Sequence, residues 1–173
     1  MAETFEAAAA LRPRPLTPAL RAALGPDTLA VTDLRLAGGR RVNEFVFGPF
    51  GVVVLGEVPP PSVSRNVGPR WEVRDGRGRW IPVEGPVDRT SRDADRVRSW
   101  LGNDDRDFLV RVYAAVVTDD PRVQRSPTCA VVTANDLAAW FTSLPPQRGL
   151  TTERRERITA MVREAAAGRS TVG

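Results

Sequence analysis

The segment between Arg41 and Val58 limits the possible folds more than any other part of the chain. It contains two apolar strands joined by a tight turn, Gly48-Pro49-Phe50-Gly51. The first strand alternates, and its predicted faces are Val42, Glu44 and Val46 on one side and Asn43, Phe45 and Phe47 on the other. The second strand, residues 52–55, is continuously apolar, as is typical of a strand covered on both faces. We therefore predict a central sheet strand with helices on both sides of it.

Turn residues and apolar periodicity predict the order of the remaining elements. A helix that ends at Gly25 precedes three antiparallel strands, and a loop and a small hairpin around Asp75-Gly76 follow them. Next come a helix over residues 86–101, strands over 108–118 and 128–132, a helix capped by Asn135 and a final helix over 151–167. Central strands covered by helices predict an α/β (α+β) fold with a mixed sheet.

The length of 173 residues predicts one domain. We expect a loose lead-in over residues 1–16, a core over 17–146, and a C-terminal helix and tail over 147–173 that pack on the core. In the helix over 86–101, we expect Ala94, Val97 and Leu101 to face the core. The side of that helix predicted to be exposed carries Arg89, Arg92, Asp93 and Arg96.

Composition removes several classes of site. The chain has no histidine, which is the commonest zinc ligand and the usual general base. Its single cysteine, Cys129, excludes an intrachain disulfide, and its apolar surroundings predict a packed thiol rather than a nucleophile. No apolar run approaches the roughly 20 residues that span a bilayer, and the N-terminus lacks a secretion-signal pattern. These observations predict a cytoplasmic protein that does not enter a membrane.

The net charge of +4 would ordinarily suggest a nucleic-acid partner. However, all 25 basic residues are arginine, a bias typical of a GC-rich genome, so only the placement of arginine is informative. Arginines interleave with Trp71 and Trp80 in one segment, as they would on a face that binds DNA or RNA. The candidate binding residues are Arg65, Arg70, Arg74, Arg77 and Arg79. The competing interpretation is an exposed hairpin whose tryptophans pack into the core.

Several local strings together resemble the nuclease-related domain (NERD) family, a branch of the PD-(D/E)XK restriction-endonuclease-like superfamily. The resemblance is carried by the Gly48-Pro49 turn with the apolar strand after it, the hairpin with Trp71 and Asp75-Gly76, and the helix that starts at Gly85-Pro86. It extends over about residues 17–166 and implies a restriction-endonuclease-like mixed β-sheet flanked by helices. In active members, two carboxylates hold a divalent metal and a lysine two residues further on stabilises the developing charge.

This sequence departs from the family at each catalytic position. When the chain is anchored on Gly48-Pro49, the Asp position falls on Asn43, the Glu position on Gly56 and the Lys position on Val58. The glutamine that the family places at the start of the helix falls on Arg89. The resemblance therefore implies the fold and argues against nuclease activity. It predicts a pseudoenzyme that acts as a binding or scaffolding domain without a cofactor, with nucleic acid as one possible ligand.

Two alternatives stay open at the level of sequence. Glu44 and Glu57 lie one residue beyond the Asp and Glu positions with the same spacing, so a displaced pair could hold Mg²⁺ in a metal-dependent nuclease. The other alternative is a protein-interaction module without a nucleic-acid role. An arginine patch beside the former active cleft would favour nucleic acid, whereas an exposed apolar stripe on the last helix would favour a protein partner.

Overall fold

A computed structural model describes residues 18–102 and 107–167. The predicted lead-in over residues 1–16 and the end of the predicted tail lie outside these ranges. The fold is α+β, with two sheets and four helices in the described residues. The elements are α1 (Pro18–Leu24), β1 (Leu29–Arg35), β2 (Arg41–Gly48), β3 (Gly51–Gly56), β4 (Ser64–Val67), β5 (Arg70–Arg74), β6 (Trp80–Val83), α2 (Pro86–Leu101), β7 (Val112–Val117), β8 (Ala130–Val132), α3 (Leu137–Ser143) and α4 (Thr152–Ala167).

The larger sheet has the order β1-β2-β3-β7-β8, so the apolar strand β3 lies at its centre. β3 pairs antiparallel with β2 and parallel with β7, with Val52 beside Val112. Every residue of β3 is buried, and Val52 and Val54 share one core cluster with Val112 and Val116. The predicted central strand and mixed sheet are therefore confirmed.

The sheet separates two apolar layers. On one face, α2 and α4 pack through residues such as Val97 and Val162, which are fully buried. On the other face, α1 and α3 pack against Val46, Val53 and Leu55 through residues such as Phe141. The predicted inward side of α2 is confirmed, because Ala94, Val97 and Leu101 are all buried.

The turn between β2 and β3 is locked by distant parts of the chain. Gly51 has a φ of +108°, and a Cβ at this position would lie 2.5 Å from the carbonyl oxygen of Arg111, so only glycine fits. The Gln147 backbone N–H donates to the Pro49 carbonyl at 2.9 Å. The Gln147 side chain accepts from the Arg111 N–H at 2.9 Å and donates to the Leu109 carbonyl at 2.8 Å. The residues just before α4 therefore tie the turn to the start of β7.

The smaller sheet has three antiparallel strands, β4-β5-β6, instead of the two predicted. The additional strand, Ser64–Val67, lies in a segment that the sequence indicated to be a loop. Trp71 anchors this sheet in the main core, where it is 8% exposed. Arg122 adds a second link, because its guanidinium lies 5.0 Å from the Trp71 ring and donates to the Ser64 carbonyl at 3.1 Å.

The simple alternation predicted for β2 is wrong at its first half. Val42 packs in the same cluster as Phe45 and Phe47, not in that of Val46. The neighbouring strand is irregular at the same level, where Asp33 has a φ of +55° and is left out of the pairing between Thr32–Glu44 and Leu34–Val42. Aspartate tolerates this left-handed conformation better than most residues.

Three smaller differences concern the ends and faces of elements. Residues 108–111 precede β7 as irregular chain, although they had been predicted as strand. The N-cap of α3 is Asp136 rather than Asn135. Asp93, expected on the exposed side of α2, is buried.

Candidate functional site

The three positions that the resemblance assigns to catalysis lie around the end of β3. Asn43, which is half-buried, directly precedes Glu44, and Gly56 directly follows Leu55, the β3 partner of Glu44. Gly56 packs directly on α2, and a Cβ at this position would lie 1.9 Å from the Thr90 Oγ1 atom. Val58 is partly buried against the same apolar layer as α2. The helix therefore occupies the space that a catalytic carboxylate at position 56 would need.

Arginines surround a buried carboxylate one turn along α2 from Thr90. Asp93 lies 3.5 Å from both the Arg40 Nε and the Arg96 Nη1 atoms. Burial raises the pKa of Asp93, while the nearby guanidinium groups of Arg40, Arg89 and Arg92 act in the opposite direction. Arg89, the position of the family glutamine, is itself exposed. An arginine patch therefore lies one helical turn from the contact between Gly56 and Thr90, as expected of a surface that binds nucleic acid.

Ion pairs hold the buried polar atoms of this cluster. Asp93 Oδ1 lies 3.5 Å from both Arg40 and Arg96, and Glu84 Oε1 pairs with Arg92 at 2.9 Å. The pair between Glu84 and Arg92 links the end of β6 to α2.

The displaced carboxylate pair lies on the opposite face of the sheet. Glu44 is directly opposite Leu55, which belongs to the apolar layer under α1 and α3, and Glu57 follows two residues after Leu55. Burial first, and then the charge of Glu57, raise the pKa of Glu44 to about 7. The structure therefore brings the two carboxylates together without any slip in register.

A metal ion at this pair would need other ligands. Among the residues that the structure describes, no three side chains of His, Cys, Asp or Glu converge as a possible metal site. Mg²⁺ is commonly bound through one or two carboxylates with water and substrate phosphate completing the octahedron. Glu44 and Glu57 could act only in that way, and Val58 and Pro59 leave the following positions without a cationic side chain.

The candidate arginines of the hairpin are divided between a sheet face and a turn. Pairing across β4, β5 and β6 places Arg65, Arg70 and Arg74 on one face with Glu72 and Trp80. We call this set the outer face, since Trp71 on the opposite face enters the core. Both tryptophans had been expected to act alike, either on the binding face or in the core. In the structure only Trp71 is buried, and Trp80 stays half-buried on the outer face.

Contacts within the outer face fix part of its charge. The Arg65 Nε atom lies 2.7 Å from a Glu72 carboxylate oxygen, and its guanidinium lies 4.3 Å from the centroid of the Trp80 ring. Arg70 reaches the other Glu72 oxygen only at 4.0 Å and its side chain is 65% exposed. Arg74 is exposed and donates to the Gly78 carbonyl at 3.4 Å. Three arginines with one carboxylate leave this face positive.

The remaining candidates, Arg77 and Arg79, lie in the turn between β5 and β6. The Asp75 carboxylate accepts from the backbone N–H of both residues and pairs with the Arg79 guanidinium at 2.9 Å. These hydrogen bonds, led by the one from the Arg79 backbone, lower the pKa of Asp75. The turn is therefore a closed local structure whose charge is already partly neutralised.

Comparison with known proteins assigns no family. No protein-family model matches the chain, and neither curated proteins nor solved structures give a significant match. The NERD resemblance therefore stays a prediction. What the structure itself defines is the class, an α+β protein with a five-stranded mixed sheet, a three-stranded antiparallel sheet and four described helices. None of the described helices is long and apolar enough to cross a bilayer.

The residues at the three positions that the resemblance assigns to catalysis give a direct prediction. We expect no Mg²⁺- or Mn²⁺-dependent cleavage of duplex or single-stranded DNA, because Asn43, Gly56 and Val58 cannot replace the two carboxylates and the lysine. The measurement is a gel assay of labelled DNA with each metal, using Glu44→Ala and Glu57→Ala proteins as matched controls. Metal-dependent cutting by the parent that both substitutions abolish would contradict the prediction and identify the displaced pair as a nuclease site.

Proposed function

We propose that this protein is a nuclease-fold domain that binds nucleic acid through phosphate contacts without cleaving it. The observation that carries the proposal is the outer face, where three arginines and a half-buried tryptophan lie on one side of the small sheet. Guanidinium groups pair with phosphate oxygens, and an aromatic ring offers a surface on which an unpaired base can stack. Trp80 is partly covered by Arg65, so stacking would require that contact to open.

The last helix, α4, lacks the feature expected of a protein-interaction module. Such a module was expected to expose an apolar stripe on this helix, whereas Ile158 and Val162 are buried. The large apolar side chains found exposed in the described ranges are Val67, Ile81 and Val83 on β4 and β6 of the small sheet, and Leu109 before β7. The arginine patch around Asp93 adds a second basic surface near α2.

The test is a titration against a labelled duplex at several salt concentrations. Non-specific phosphate binding falls with salt with a log–log slope of about −0.9 for each phosphate contacted. Because Arg65 is held by Glu72 and Trp80, Arg70 and Arg74 are the arginines of the outer face to replace. Replacing both by alanine should make the slope less steep by about 2 units and leave the fold intact. Arg148→Ala, at an exposed arginine far from this sheet in sequence, is the matched control and should leave the slope unchanged.

Two results would overturn the proposal. One is the absence of detectable binding at tens of micromolar protein near 50 mM salt, roughly the regime in which non-specific binders are seen. The other is a parent and an Arg70→Ala/Arg74→Ala protein with the same salt slope. Either result would favour the protein-interaction alternative.

A further inference from the structure

A groove of about 640 Å³ opens at the edge of the larger sheet. β8 pairs only with residues 115–117 of β7. Within the described ranges no strand lies beside residues 112–114 on that side, and these residues line the groove. α2 contributes one wall and α3 the other, from opposite faces of the sheet. A volume of this size lies within the range of roughly 300–1,000 Å³ that is usual for small-molecule sites.

The groove is positively charged. Arg98 and Arg125 line it together with a single carboxylate, Asp95. Arg98 is held in place, because it pairs with Asp95 and its Nη2 atom donates to the Val112 carbonyl at 3.1 Å. Arg125 is exposed, and no ion pair or hydrogen bond involves its side chain within residues 18–102 and 107–167. One fixed guanidinium and one available guanidinium therefore face the same space, a combination that suits a phosphate.

The uncharged walls suit the rest of a nucleotide. Tyr113 on β7 and Trp140 on α3 are half-buried and present aromatic surface. Three hydroxyl groups form a chain along the groove, with 3.0 Å between Ser91 and Thr128 and 3.2 Å between Thr128 and Ser126. Each hydroxyl can donate or accept, as the hydroxyls of a sugar require.

We propose that this groove binds a nucleoside phosphate, with the phosphate at Arg98 and Arg125 and the base against Tyr113 and Trp140. An extended peptide added to the edge of β7 fits less well, since the Val112 carbonyl that would accept from the peptide already accepts from Arg98. The site uses none of the residues of the outer face, so it stands independently of the proposed function.

The experiment is a calorimetric titration of the full chain with ADP. We expect saturable binding, and we expect Arg125→Ala to weaken it about tenfold, the effect of one charge-assisted hydrogen bond to phosphate. Arg125→Ala removes no contact within the described protein and should fold normally. Arg148→Ala is the matched control at another exposed arginine and should bind ADP as the parent does.

Further ligands and variants separate the two halves of the site. Adenosine and inorganic phosphate should each bind more weakly than ADP, because each fills only part of the groove. ADP should quench tryptophan fluorescence in the parent, and Trp140→Phe should lose most of that quenching while the heat of binding persists. The Arg70→Ala/Arg74→Ala protein should bind ADP normally, which separates this site from the outer face. Two results would overturn the proposal. One is an Arg125→Ala protein that binds ADP as tightly as the parent does, and the other is a parent protein that does not saturate up to about 1 mM ADP, a dissociation constant equivalent to about −4 kcal/mol.

Discussion

Replacing Gly56 by alanine should destabilise the protein by about 3 kcal/mol, the upper end of the usual cost of overpacking a core. The new methyl group would lie 1.9 Å from Thr90 Oγ1, which is fixed by its own hydrogen bond to the Pro86 carbonyl at 2.7 Å. Neither the central strand nor the helix can move without disturbing the layer between them. For a domain of this length, that loss lowers the melting temperature by about 6–12 °C.

A double-mutant cycle identifies the cause of this loss. Thr90→Ala alone gives up the hydrogen bond to Pro86 and should cost about 1 kcal/mol. The Gly56→Ala/Thr90→Ala protein should be more stable than the sum of the two single effects implies, by roughly 1–2 kcal/mol, because the nearest clashing atom is gone. If the two losses in unfolding free energy, measured by chemical denaturation, are strictly additive, then contact with Thr90 is not what destabilises Gly56→Ala. Gly56→Glu, which places a glutamate at the position that the NERD resemblance assigns to a carboxylate, should be at least as destabilising as Gly56→Ala and should not produce a nuclease.

Replacing Glu44 by glutamine should make stability depend less on pH. The pKa of Glu44 is about 7 in the folded protein against the ordinary value of 4.5, so the folded state holds this proton more tightly than the unfolded chain. The contribution of Glu44 to stability is therefore greatest below about pH 4.5, falls between about pH 4.5 and 7, and is lowest above pH 7. Between about pH 4.5 and 7, the unfolding free energy of the parent should fall by about 3 kcal/mol, whereas that of Glu44→Gln should not show this fall.

The measurement is urea denaturation of both proteins at a series of pH values. The difference in unfolding free energy should grow in favour of Glu44→Gln as the pH rises through the window. Glu57→Gln is the matched control, and it should reduce the pH dependence without removing it, because burial is the larger cause of the shift. Parallel profiles for the parent and Glu44→Gln would mean that Glu44 is ionised normally in the fold.

Sequence predicted the centre of this fold because the signal there is local. The continuous apolar run over residues 52–55 is typical of a strand covered on both faces, and the neighbouring Gly48-Pro49 turn makes β2 its antiparallel partner. The strand Ser64–Val67 was not predicted because it is short and polar, and the contacts that hold it, such as the ion pair between Arg65 and Glu72 on β5, depend on the register between strands.

The site was less predictable because it depends on contacts between distant elements. The close approach of Gly56 on β3 to Thr90 on α2 joins elements that are distant in sequence, and its only local indication is the glycine at position 56. The burial of Asp93 depends on Arg40, which lies 53 positions earlier in the chain. The different fates of Trp71 and Trp80 follow from the β5–β6 register, where Trp80 pairs with Arg74 and therefore lies on the face opposite to Trp71. Residue patterns without the register cannot make that distinction.

The hydrogen bonds that Gln147 forms with Pro49, Leu109 and Arg111 also bear on how the chain folds during synthesis. Gln147 completes the turn at Pro49 and the entry to β7, yet it is translated 98 positions after Pro49. At a translation rate of 5–20 residues per second, Gln147 is synthesised about 5–20 s after Pro49. The β3 edge is open to other chains until β7 is translated, because Val112 follows its partner Val52 by 60 positions.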